Sequence, residues 1–427
     1  MSLKGQVVLG LKWTTLSTLV VAVVAVIKIS VLARFLEKSD FGLMALISFV
    51  IGFTNLFSDM GLSTAILHKQ NISKKTYASL FWFNLVFSVL LYLVLFICSP
   101  IIGEFYENPE LGHLISILGI NLVLSGIGIQ FKTIEIKNLL FKNIGIVEII
   151  AALISLVVAI YLAIKNYGVL SLVYSALVQY VISNLLYFCI GIRKYGLLFH
   201  FNFSETIPFL KIGSYQVGGQ VANYFNRDLD ILLIGKFFSP EILGGYSLAK
   251  QLVFRPAQVI NPILVKVASP TLAKFQDNIL ELKNNYLKLI RIVSMINIPV
   301  YLTIIIFAPI VVQIFYGSGF DNIVSIVRIL SIYMIFRALG NPIGSLVIAT
   351  GRTDLEFKWN ILNLLIMPVF IYVGSSFGIN GVAFALTTAM TLLFVPNWKY
   401  LVNKMTNASL IEYVRAIGTF NWKDLKR

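Results

Sequence analysis

Apolar runs of about twenty residues recur along the chain, separated by short stretches of Gly, Asn, Pro and charged residues. Twenty residues is the length an α-helix needs to cross a bilayer, and a helix satisfies its own backbone there. About twelve runs emerge: Gly10 to Ala33, Phe41 to Thr64, Ala78 to Ser99, Leu114 to Phe131, Ile144 to Ile164, Val169 to Ile192, Pro208 to Gly235, Ile242 to Ala268, Leu289 to Ile314, Ile323 to Ile348, Phe357 to Phe377 and Gly381 to Val402. The longest connection, Ser269 to Lys288, contains the start of LAKFQDNILELKNNYLKLIRIV. Its apolar spacing reads as an amphipathic helix lying in the interface and running into the ninth span. The predicted fold is all-α and integral to the membrane, with about twelve transmembrane helices. The expected domains are an N-terminal six-helix bundle over 1–195, a C-terminal six-helix bundle over 196–403 and a cytoplasmic tail over 404–427.

Composition agrees. Of 427 residues, 58% are hydrophobic and only 12% charged, and the mean hydropathy is +0.86, which excludes an ordinary soluble multi-domain protein. The net charge of +15 is scattered between apolar runs and fits cytoplasmic loops on an anionic membrane surface, not nucleic acid. Lys and Arg number about 24 in the termini and even-to-odd connections but about 4, Arg34, Lys38, Lys165 and Lys236, on the other side. Both termini are therefore expected in the cytoplasm, with Glu104, Glu107 and Glu110 outside. The first run is too long for a signal-peptide core and is expected to be retained. Cys98 and Cys189 sit inside apolar runs, which supports neither a disulfide nor a metal site.

The two halves begin alike. IKISVLARFLEKSDFGLMAL and LDILLIGKFFSPEILGGYSL align Arg34 with Lys236, Phe35 with Phe237, Gly42 with Gly244 and Lys28 with Asp230. Six spans per half give both copies the same sense, so the repeat is parallel, related by an axis along the membrane normal.

The most informative stretch is Ser214 to Phe238, a spanning helix carrying Arg227, Asp228 and Asp230. A charge inside the hydrocarbon costs at least about 2.5 to 3.5 kcal/mol on insertion scales, and such charges usually face a partner or a water-filled path. Gly218, Gly219 and Ala222 add a face for close approach. A self-neutralising Arg227 to Asp230 pair at i, i+3 is the structural alternative. Within the spans the basic residues are Lys28, Arg227, Lys250, Arg255, Arg328 and Arg337, and the acidic ones Asp59, Glu148, Asp228 and Asp230. Six minus four leaves two positive charges, which favours an anionic substrate. Arg and Lys at successive depths suit a pyrophosphate, because charge-assisted hydrogen bonds in low dielectric hold it while no single site traps it. Lys28, Arg227, Lys250, Arg255 and Arg337 are thus the candidate substrate-binding residues; Asp230, Asp228, Asp59 and Glu148 are the candidates for coupling to H+ or Na+. A Lys28 to Asp230 pair that forms and breaks is the expected switch. Snorkelling is the alternative for these arginines, Arg255 and Arg337 to the cytoplasmic interface and Arg328 to the outer one. Pro256 and Pro262 beside Arg255, and Gly340, Asn341 and Pro342 after Arg337, are expected to break their helices and free backbone groups. Tyr215, Tyr224, Phe225 and Tyr246 are weak candidates for stacking on sugar rings.

ISVLARFLEKSDFGLMAL, then FSDMGLSTAILHKQNISKKTYASLFW, NYFNRDLDILLIGKFFSPEILGGYSLA, FYGSGF and GNPIGSLVIATGR, resemble the polysaccharide exporters of the colanic-acid and teichuronic-acid type over nearly the whole chain. These belong to the group that includes multidrug and lipid-linked oligosaccharide flippases. The resemblance implies movement of a polyprenyl-pyrophosphate-linked oligosaccharide across the bacterial cytoplasmic membrane for surface polysaccharide synthesis. It also implies membrane lipids, a polysaccharide polymerase and chain-length machinery as partners. The peptidoglycan-precursor flippases of the group have two further C-terminal spans, and about twelve here weaken that branch.

Enzymatic motifs are missing: there is no phosphate-binding Gly-rich loop, HExxH or Gly-x-Ser-x-Gly, and His68, His113 and His200 are solitary. No cofactor or metal is expected. Two other readings stay open on the residues. A drug/cation antiporter of the same fold would want an acidic or aromatic cavity. A membrane-embedded polysaccharide polymerase or glycosyltransferase would want carboxylates, His or Arg in sizeable loops, which this chain lacks.

Overall fold

The computed structural model describes residues 3–419, which are helical nearly throughout and form no strand. The chain begins with α1 (Leu3–Leu32), α2 (Lys38–Asn55), α3 (Leu62–His68), α4 (Lys74–Phe105), α5 (Pro109–Gly119), α6 (Asn121–Lys137), α7 (Phe141–Ile164) and α8 (Val169–Tyr195). The long α9 (Phe203–Phe237) and α10 (Pro240–Ala273) follow. Then come α11 (Ile279–Ile306), α12 (Ala308–Tyr316), α13 (Val324–Gly340), α14 (Pro342–Thr350), α15 (Thr353–Ser375), α16 (Gly378–Asn397), α17 (Lys404–Thr406) and α18 (Leu410–Gly418).

Nine helical stretches among the described residues are long and apolar enough to cross a membrane. Every predicted run falls mainly on helix. The remaining candidates are α2 with α3, interrupted between Asn55 and Leu62, and the charge-bearing α9 and α10, which is consistent with a count of twelve.

The chain divides into two compact units. One runs to Tyr224 and takes in Phe238–Gly244; the other comprises Phe225–Phe237 and everything from Gly245 on, so α9 and α10 contribute to both.

In the first unit α1 packs on α7, α7 on α8, and α6 on α8 and α4. α4 shows why these helices choose their faces. Val86, Leu90, Val94, Ile97 and Ile101, at three- and four-residue spacing, are exposed, whereas Ser79, Asn84, Ser88, Ser99 and Gly103 are buried. Against lipid the apolar stripe gains nothing by turning inward, and small side chains let helices approach. The break after α2 has a local cause. Gly61 takes a left-handed conformation at φ +72°, and a Cβ there would lie 2.5 Å from the Cα of Gly213 on α9, so the turn demands glycine twice over.

The repeat is visible at one contact inside this unit. A Cβ on Gly42 would sit 1.9 Å from the carbonyl oxygen of Pro240, and a Cβ on Gly244 would sit 1.7 Å from that of Lys38. Lys38 and Gly42 are offset from Pro240 and Gly244 by the same 202 residues that align the two halves, so α2 and α10 meet through equivalent positions.

In the second unit α11 packs on α13, α13 on α16, and α15 on α16. The amphipathic stretch after Ser269 runs into the ninth span as expected. It is the first part of α11, and its apolar face is covered by α18: Tyr286, Ile290, Tyr413 and Ala416 share one core. Ser409 caps α18 and Glu412 closes the capping box, while Lys283 Nζ reaches Glu412 Oε1 at 2.9 Å. That ammonium, with the Ser409 N–H, pulls the Glu412 carboxyl down to about 2, so the clamp stays ionised at neutral pH.

Helix breaks follow expectation on one side only. α13 ends at Gly340 and α14 starts at Pro342, where proline fits the first helical turn. α10, by contrast, runs unbroken through Pro256. The Gly219 and Pro262 side positions lie outside the described residues.

Candidate functional site

The charges of the second unit converge on Lys250. It is 7% exposed, and its ammonium donates to Asp230 Oδ1 at 2.7 Å, the Arg227 carbonyl at 2.9 Å and Asp228 Oδ1 at 3.2 Å. Three donors meet three acceptors, which is what an ammonium needs to leave water. Asp230, equally buried at 7%, accepts on its other oxygen from Tyr246 at 2.6 Å, and Arg227 Nε reaches Asp228 Oδ2 at 2.7 Å. Two cations and two carboxylates sum to zero. The i, i+3 spacing pointed from Asp230 to Arg227; the close ammonium on Asp230 instead comes from the next helix. In the first unit Lys28 Nζ donates to Ser155 Oγ at 2.9 Å.

Next to this network lies an aromatic relay. Phe254 and Tyr333 stack with centroids 6.3 Å apart, and the Arg337 guanidinium lies 5.4 Å from the first ring and 5.8 Å from the second. Arg337 donates to the Tyr333 hydroxyl at 2.6 Å, and Lys250 sits 5.4 Å from the Phe254 centroid. The rings give the guanidinium cation–π company without neutralising it. Arg255, one residue along α10 from Phe254, is half-buried. Among the described residues no carboxylate pairs with Lys28, Arg255 or Arg337. The uncompensated charge of the spans is therefore basic.

In the first unit Glu148 on α7 pairs with Lys132 on α6 at 2.8 Å. The sequence pattern had ended the fourth span at Phe131 and left Lys132 in a loop; α6 continues to Lys137. Glu148 lies about seven residues into α7 and Lys132 about five from the end of α6, so an antiparallel depth match was the signal available. Glu135 was missed for the same reason. It is 1% exposed and accepts from Lys194 at 3.0 Å, Tyr195 at 2.6 Å and Asn143 at 2.6 Å, tying α6, α7 and α8 together. Asp59 follows α2 and accepts from the N–H groups of Gly61 and Ser63, at 2.9 and 3.2 Å, which makes it a cap for α3.

The aromatic candidates mostly serve packing. Tyr224 is buried against Phe49 and donates to its carbonyl at 2.7 Å, and Tyr246 is fully buried on Asp230. The Tyr215 side chain lies outside the described residues.

An all-α multi-pass membrane protein, with buried ion pairs on its central helices and unpaired basic groups beside them, is the class that fold and site define. The chain belongs to the polysaccharide biosynthesis protein family, whose model matches residues 31–325. It is 27% identical over 418 residues to the lipopolysaccharide biosynthesis protein WzxC of Escherichia coli (strain K12), covering 98% of this chain and 85% of that one. To the teichuronic acid biosynthesis protein TuaB of Bacillus subtilis (strain 168) it is 28% identical over 374 residues, covering 87% and 77%. Its fold matches a solved structure of the lipid II flippase MurJ in an inward closed conformation, with a TM-score of 0.78 at 14% identity over 95% of this chain and 90% of that one.

Proposed function

We propose that the protein is a flippase, not an enzyme, that carries polyprenyl-pyrophosphate-linked oligosaccharide units across the bacterial cytoplasmic membrane for surface polysaccharide synthesis. The observation that carries this reading is the basic excess of the spans: among the described residues Lys28, Arg255, Arg328 and Arg337 have no carboxylate partner, against Asp59 alone of the four candidate acids without a cation. A diphosphate is the common anionic feature of lipid-linked sugars, and arginine with lysine is its natural acceptor set. The surface polysaccharides named for WzxC and TuaB supply the biological setting, and the MurJ-like fold supplies a precedent for lipid translocation. An organic-cation antiporter would want acids free to meet its substrate, whereas Asp228, Asp230 and Glu148 hold cations and Asp59 is engaged by the N–H groups of Gly61 and Ser63. A polymerase and chain-length machinery are the partners that would consume the flipped unit.

Two expected outcomes test this. Cells depleted of the protein should accumulate sugar-loaded lipid in the cytoplasmic leaflet and lose their surface polysaccharide; normal polysaccharide in such cells overturns the reading. The second concerns topology, with both termini in the cytoplasm as the Lys and Arg distribution demands. Exposed Glu107, at the turn between α4 and α5, should as E107C react with an impermeant thiol reagent on intact cells, in a background lacking Cys98 and Cys189. Reaction only after lysis reverses the orientation.

A further inference from the structure

Within the first unit, between α1, α6, α7 and α8, lies a cavity of about 500 Å³ that Lys28, Arg255 and Arg337 do not line. Its walls combine Ser125, Gln179, Tyr180, Ser183, Asn184 and Tyr187, with the Lys132 to Glu148 ion pair at one side. Helices that only pack need small or apolar residues, whereas here six polar side chains and an ion pair border the space beside Val21, Ile129, Ala151 and Ala176. The volume falls in the range of roughly 300 to 1,000 Å³ found for small-molecule sites. One polar side chain of this lining is itself unmet. Tyr187 is 4% exposed, and its hydroxyl has no hydrogen-bond partner among the described residues although it borders the cavity. A buried phenol ordinarily finds a partner, and leaving one unmet costs about 1 to 3 kcal/mol.

We propose that this cavity holds sugar of the lipid-linked oligosaccharide, which deepens the flippase reading and rests on it. Hydroxyls, amides and an ion pair in one pocket supply donors and acceptors together, as the alternating hydroxyls of a pyranose require. The Lys132 ammonium and the Glu148 carboxylate cancel in charge, so the pocket suits a neutral or N-acylated ring and offers a free phosphate no excess of cations. Lys132 Nζ stands 5.6 Å from the Tyr187 ring, which fixes that ring beside the pair. An acyl chain could offer no hydrogen bond to the polar groups on these walls. Diphosphate and sugar are therefore read by different parts of the chain: the former by unpaired arginine and lysine, the latter by this neutral pocket.

The test uses the full chain in nanodiscs and two probes: loaded lipid extracted from exporter-depleted cells, and undecaprenyl pyrophosphate without sugar. Y187F keeps the ring and its packing and removes only the hydroxyl; Q179A removes a second polar wall should Y187F fold poorly. Each is expected to weaken binding of the loaded lipid about tenfold and to leave the sugar-free lipid unchanged. Equal binding of the loaded lipid by wild type and both variants, or a parallel loss for both lipids, overturns the sugar pocket and leaves the flippase reading standing. Failure of the wild type to bind either lipid removes both.

Discussion

Lys250→Met is expected to be the most damaging single substitution in the second unit. The methionine nearly matches the lysine stem in volume, so the effect isolates the charge. Removing it leaves the carboxylates of Asp228 and Asp230 short of the ammonium that bridges them, 3.2 and 2.7 Å away. Breaking one side of a buried ion pair costs about 3 to 5 kcal/mol, more than the loss of a hydrogen bond alone, because the other charge stays buried. Thermal unfolding of the purified protein in detergent should show a large drop in midpoint. K250M combined with D230N should recover most of it, since asparagine carries no charge and still accepts from Tyr246. A midpoint for K250M equal to wild type would contradict the network, and so would a double variant no better than the single.

A comparably large loss is expected for Gly42→Ala and Gly244→Ala. In a helix with open surroundings, alanine would gain up to about 1 kcal/mol over glycine. Gly344 is such a position, with no atom within 4 Å of a built Cβ, and G344A should be neutral or stabilising. At Gly42 and Gly244 the added carbon meets the carbonyl oxygens of Pro240 and Lys38 at 1.9 and 1.7 Å. These are backbone atoms and cannot rotate away, so α2 and α10 must separate by more than an ångström. Forced overpacking typically costs about 1 to 3 kcal/mol, which outweighs the propensity gain. Both variants should melt lower and transport less, whereas unchanged melting in G42A and G244A would mean that the two helices do not meet there.

Much of this was readable from residue order. The bilayer length of the apolar runs placed the long helices, and the 202-residue offset aligned Gly42 with Gly244 without foretelling that α2 and α10 meet there. The break at Gly340 to Pro342 was legible because proline and glycine act locally. Less could be read wherever the answer depended on the neighbouring helix. Asp230 finds Lys250 twenty residues away, a distance that i, i+3 reasoning along one helix cannot reach. Lys132 and Glu135 were hidden because a charge near a run's end reads as loop, although a paired charge is tolerated a turn or two deeper. Pro256 shows the converse: a proline inside a long helix marks a place where a break is affordable, not one where it must occur. That α18 covers the apolar face of α11 was not legible, because nothing in that stretch names its partner.

The most direct measurement of the central claim is translocation in proteoliposomes containing only the purified protein and fluorescent polyprenyl-pyrophosphate-linked oligosaccharide, with the appearance of sugar in the opposite leaflet followed by an impermeant glycosidase or quencher. The wild-type protein is predicted to move the loaded lipid across within the assay, and the combined R255A and R337A variant, stripped of two unpaired cations, to move little. Equal rates in protein-containing and empty liposomes, or a variant as fast as wild type, would contradict the account.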